Sequence, residues 1–92
     1  MTQEHLSALL DLMTAKLDKD GWSSLSDGRF FTLYAAHDGA PLMVAKVEAL
    51  VRRGQLIEAR TSKGELYVLA LDDLFAVAAE VAATQTRKAG FM

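Results

Sequence analysis

The chain has no cysteine, so disulfides and thiolate metal sites are excluded and the redox compartment stays open. Histidine occurs only as His5 and His37, far apart and too few for an imidazole-based metal site. There is no glycine-rich phosphate loop. Proline occurs once, at Pro41, and no Pro/Gly/Ser-rich linker, internal repeat or low-complexity block interrupts the sequence. The 92 residues therefore read as a single domain. No apolar run reaches the ~18 residues of a membrane span. Residues 1–5 also lack the basic segment of a secretory signal. A soluble cytoplasmic protein without membrane contact is the expectation, with no cofactor and no metal.

What the chain does have is apolar surface. Hydrophobic residues make up 51% of it, a high fraction for so small a domain, which points to apolar surface shared with a partner. Net charge is −2 with a pI near 5.6, unlike a strongly basic nucleic-acid binder. The charge is unevenly spread. From position 41 to 64, Lys46, Arg52, Arg53, Arg60 and Lys63 face only Glu48 and Glu58, a local excess of +3, while both flanking parts are acidic.

Apolar spacing predicts a helix over residues 3–18. Thr2 is its N-cap, Leu6, Leu9, Leu10, Met13 and Leu17 form its stripe, and Gly21 follows its end. Trp22 is expected to fold back on Leu17. Residues 27–36 support two readings, of which the helix is preferred because the apolar spacing does not alternate cleanly. A helix capped by Ser26 would carry Phe30, Leu33, Tyr34 and His37 on one stripe. A strand over 29–36 would use the aromatic and β-branched content and end at the turn signal Asp38-Gly39. A third helix is predicted over 42–53, with Pro41 at its first position, Met43, Val44, Val47, Leu50 and Val51 inward, and Gly54 as its stop. A hairpin over 55–71 turns at Ser62-Lys63-Gly64. Its register is open: a two-residue turn pairs Ala59 with Val68, a three-residue turn pairs Ala59 with Tyr67. A last helix over 73–86 opens on Asp72-Asp73 and carries Leu74, Phe75, Ala78, Val81 and Ala82.

The join Leu50-Val51-Arg52-Arg53-Gly54-Gln55-Leu56-Ile57-Glu58, with Lys63-Gly64 as a wing tip, resembles the recognition helix and wing of winged helix-turn-helix regulators. The resemblance implies an α+β fold of three helices, a β-hairpin wing and a C-terminal helix; the alternative is another α+β fold with 29–36 as a strand. It also implies a non-enzymatic regulator that binds duplex DNA, with Arg52, Arg53, Arg60 and Lys63 on phosphates and Lys46 on a base or phosphate. A homodimer would form through Phe75, Ala78, Val81 and Ala82 of the last helix. The exposed side of the third helix would consist of Ala45, Lys46, Glu48, Ala49 and Arg52, poor material for reading bases. The rival from another class is therefore a protein-binding adaptor or inhibitor. Plainer roles compete residue by residue. Arg52 and Arg53 suit a helix C-terminus, Arg60 and Lys63 suit a soluble hairpin, and His37-Asp38 suits a turn better than a general base.

Overall fold

In the computed structural model, which describes residues 1–26 and 28–80, one helix is followed by a curled antiparallel sheet. The elements are α1 (Gln3–Leu12), β1 (Lys16–Leu17), β2 (Ser23–Ser24), β3 (Phe31–His37), β4 (Ala40–Arg53), β5 (Leu56–Thr61), β6 (Leu66–Ala70), a 3-10 turn (Leu71–Asp73) and β7 (Leu74–Ala79). The winged-helix expectation of three helices and a wing is overturned. Residues 42–53 lie in β4, residues 31–36 in β3, and the described part of 73–86 is a 3-10 turn and a strand.

Strand β4 organises the sheet. Its first half pairs with β3 from Ala40 to Val47, and its second half pairs with β5 from Val47 to Arg53. Val47 pairs on both sides, with Phe31 and with Thr61, so β3 and β5 lie on opposite edges of β4. Beyond them, β7 adds to β3 and β6 adds to β5. The short β1–β2 hairpin joins through Ser23 opposite Leu50. The sheet wraps a core that draws Phe31 and Leu33 from β3, Val44, Val47 and Leu50 from β4, Ile57 and Ala59 from β5, and Leu71, Leu74 and Val77 from the last segment.

Two strands imitate helices in sequence, and bulges are the reason. Phe31 and Leu33, two apart on β3, face Val47 and Val44, three apart on β4. The extra residue falls at Lys46, whose φ is 59°. A second extra residue, Glu48, lies between the pairs Val47–Thr61 and Ala49–Arg60. Each bulge stretches the inward period of a strand from two to three. Val44, Val47 and Leu50 thus point inward at the spacing that reads as a helix face. The same device operates in β7, where Phe75 is the extra residue and Leu74 and Val77 both reach the core.

Turn chemistry completes the sheet. Asp38 and Gly39, with φ of 50° and 81°, form the two-residue turn that joins β3 to β4, the left-handed conformation that Asp-Gly suits. His37 and Ala40 then form the hydrogen-bonded pair next to the turn, so Pro41, opposite Ala36, points its missing donor toward the open edge. The second hairpin takes the three-residue turn, with Ala59 opposite Tyr67.

Helix α1 is shorter than the stripe predicts. Thr2 Oγ1 accepts from the His5 amide at 3.1 Å, as an N-cap should. The other end closes at Thr14, whose φ is 54°, with the Ala15 amide bonded to the Leu10 carbonyl at 3.0 Å. Leu6 is buried, Leu9, Leu10 and Met13 pack on the core, and Leu17 lies exposed in β1. No helix among the described residues is long and apolar enough to cross a membrane.

The left-handed Lys46 gives a direct test of the bulge. Replacing it by valine, whose branched Cβ resists that conformation, should destabilise the fold by about 1–2 kcal/mol. Lys46→Gly should be close to neutral, because glycine adopts this φ freely. Urea midpoints of the two variants would measure this, and equal midpoints would refute the bulge.

Candidate functional site

Residues directly opposite one another in a sheet share a face. Across β4, β5 and β6 the pairs give three rows on the outer side: Ala49–Arg60–Leu66, Val51–Glu58–Val68 and Arg53–Leu56–Ala70. Ala49 and Val51 are only 3% and 5% exposed, yet neither belongs to the main core cluster. Arg60 lies opposite Ala49, the β1–β2 turn at Gly21 lies against Val51, and Trp22 sits beside the arginines of the same face. The Arg60 guanidinium lies 4.8 Å from the centre of the Trp22 ring, and that of Arg53 lies 6.0 Å away. Both distances are within cation–π range.

The β1–β2 turn places Trp22. Asp18 Oδ1 accepts from the amides of Asp20, at 2.8 Å, and Trp22, at 3.0 Å. The Asp18 amide in turn donates to the Trp22 carbonyl at 2.9 Å. Gly21 completes the turn at φ 90°. A Cβ added there would lie 3.7 Å from the Val51 side chain, so the turn sits directly on β4.

The cations on this face are accompanied by acids. Arg53 Nε lies 2.8 Å from Glu58, and Arg60 Nε lies 3.9 Å from Glu48. Leu56, Leu66 and Val68 are exposed on the same side. The surface is therefore a half-buried indole with two arginines and two glutamates, bordered by aliphatic side chains.

The five residues expected to contact nucleic acid do not converge. Arg53 and Arg60 share the Trp22 face. Arg52 turns to the other side, donates to the Gly54 carbonyl at 2.8 Å and lines a cleft beside α1. Lys46 lies 5.3 Å from the centre of the Phe30 ring and 3.5 Å from Glu80, and Lys63 is at the β5–β6 turn. The supposed dimer residues are split as well. Phe75 and Ala78 are exposed on β7, with Phe75 6.4 Å from the Tyr34 ring, whereas Val81 and Ala82 lie outside the described residues. Because β7 is a strand, no apolar helix stripe links Phe75 to Ala78.

Sequence reasoning overlooked Trp22 as a surface residue, taking it as a contact for Leu17. It also overlooked Glu48 and Glu58 as partners of arginines. The alternation along 56–61 and 66–70 was the available signal for Leu66 and Val68 facing outward together with Arg60.

The cleft beside α1 encloses about 430 Å³ between Leu6 and Leu10 on the helix, Leu17 and Gly21 on the β1–β2 turn, and Leu50 and Arg52 on β4. Ser7 and Ser23 are the hydroxyls lining it, and no histidine lines it to activate either one. Elsewhere His37 Nδ1 sits 3.1 Å from Asp73 and its Nε2 3.5 Å from Asp38, at an exposed turn. The described residues contain no group of three or more potential metal ligands. No family model, curated protein or solved structure matches the chain.

Proposed function

We propose that this chain is a non-enzymatic protein-interaction module whose contact surface is the outer face of β4, β5 and β6 around Trp22, Arg53 and Arg60. The composition of that face carries the reading. Tryptophan and arginine are the side chains that most often dominate binding energy at protein interfaces, and here they lie together beside exposed Leu66 and Val68. Glu58 and Glu48 next to the two arginines favour a protein over a phosphate backbone, which would meet both carboxylates. A partner surface with its own mixed charges and an apolar centre would complement this one.

Affinity capture with the wild-type chain, Trp22→Ala and Arg60→Glu in parallel tests the reading. A specific protein partner should bind the wild type and weaken by about 30-fold or more with Trp22→Ala, as at an interface hot spot. Equal capture by all three chains would remove this face from the interaction. Tight binding of duplex DNA instead, with a salt slope of roughly 0.9 per phosphate contact, would replace the proposal with a nucleic-acid one.

A further inference from the structure

Strand β6 lies at an open edge: among the described residues it pairs only with β5. Two bonds fix the phase of that ladder. The Thr61 amide donates to the Glu65 carbonyl at 2.8 Å, and the Leu71 amide donates to the Gln55 carbonyl at 2.8 Å. Hydrogen-bonded and non-hydrogen-bonded pairs alternate in an antiparallel ladder. Glu65, Tyr67, Leu69 and Leu71 therefore turn their peptide groups toward β5. Leu66, Val68 and Ala70 turn theirs outward, and none of these outward groups bonds elsewhere among the described residues.

The other edges left unpaired among the described residues carry the usual protections against strand pairing. Strand β7 is bulged at Phe75, β1 is two residues long, and the first half of β4 has Pro41 and the bulged Lys46. Strand β6 has no proline, no charge and no register shift from Leu66 to Ala70. Leu66 and Val68 are also 56% and 54% exposed.

We propose that a second copy of this chain occupies this edge, with β6 pairing antiparallel to its own equivalent about a two-fold axis at Val68. The phase of the ladder requires outward groups to meet outward groups, and among such registers an axis at Val68 is the one that pairs all three outward residues. An axis at Val68 sets Val68 against the partner's Val68 and Leu66 against the partner's Ala70, matching outward peptide groups on both sides. Each such pair exchanges both of its N–H···O=C bonds. A one-residue slip would oppose outward groups to inward ones and lose the bonds.

Charge agrees with the same register. Continued beyond the strand ends, it sets Lys63 opposite the partner's Asp73, whose carboxylate has His37 of its own chain 3.1 Å away, and one position from the partner's Asp72. Among the described residues neither Lys63 nor Asp72 has an ion-pair partner within its own chain. The contact is isologous, so it closes as a dimer and does not propagate into fibres. The two sheets become one, and the two Trp22 faces lie on a continuous surface. This inference rests on the geometry of the edge and does not require the proposed function.

The absence of cysteine makes the test clean, because a single introduced thiol can only pair with another copy. In a hydrogen-bonded pair the Cα atoms are about 5.5 Å apart, a separation that a disulfide spans. Under mild oxidation Val68→Cys should form a covalent dimer far faster than Leu12→Cys on the exposed side of α1. Sedimentation velocity should show a wild-type dimer, and Val68→Glu, with like charges meeting at the axis, should raise its dissociation constant at least about 100-fold. Lys63→Glu should weaken the dimer and Lys63→Glu with Asp72→Lys should restore it. A wild-type chain that stays monomeric at millimolar concentration overturns the proposal. So does a dimer that cross-links no faster through Val68→Cys than through Leu12→Cys. Because cross-linking reads the same contact, a failure of Val68→Glu to fold leaves the test decisive. Loss of the dimer with partner capture intact would refute this inference alone; the reverse would refute only the proposed function.

Discussion

Phe31→Ala should nearly unfold the protein. The ring is fully buried, between Val47 of β4 on one side and Ala79 of β7 on the other. Truncating it removes the largest apolar side chain of the core and leaves a cavity where β3, β4 and β7 meet. Such a change costs about 3–5 kcal/mol, against a total stability of roughly 5–15 kcal/mol for a folded domain. The melting temperature should fall by about 15–30 °C. Phe75→Ser is the control. Phe75 is an exposed, bulged residue on β7, and its replacement should shift stability by no more than about 0.5 kcal/mol. Thermal unfolding followed by circular dichroism measures both, and a small shift for Phe31→Ala would place the core elsewhere.

The second large effect separates a bulged strand from a helix. On a helix over residues 42–53, Met43 would be inward and Ala49 outward. In the sheet the positions exchange: Met43 is 61% exposed and Ala49 is covered beside Trp22 and Arg60. Ala49→Lys would bury a cation next to two guanidinium groups that already face the nearby carboxylates Glu48 and Glu58. A loss of about 3 kcal/mol or more is expected. Met43→Glu should be tolerated within about 0.5 kcal/mol. Urea denaturation of the pair gives the answer, and the opposite order of stabilities would restore the helix.

These two contrasts show where the sequence was legible. Thr2 capping a first helix, Ser62-Lys63-Gly64 as a hairpin tip and, under the less favoured strand reading of 29–36, Asp38-Gly39 as a turn are local chemistry, and each appears in the structure at its own residues. The helical spacing of Val44, Val47 and Leu50 misled because two bulges convert a strand's period into that of a helix face. Nothing within residues 42–53 reveals a bulge. It exists because Phe31 and Leu33 must meet Val47 and Val44 from another strand. The end of the first helix misled for a related reason: Leu17 continues the apolar stripe, but Lys16 and Leu17 pair with Ser24 and Ser23.

The candidate site shows the same division. Arg53 and Arg60 stood out in the sequence by charge. Their meeting over Trp22, a residue far from both in the chain, follows from β2 and β5 flanking β4 at Leu50.

By itself the sequence determined the absence of disulfide and thiolate chemistry, the charge asymmetry, the first helix cap and the turns, because composition and short-range backbone preferences need no distant partner. Tertiary structure alone decided whether residues 42–53 coil or extend, which cations share a face with Trp22, and which of the edges unpaired among the described residues lacks a bulge, a charge or a proline. Those outcomes depend on non-local pairing, where a single extra residue in one strand changes which side chains reach the core.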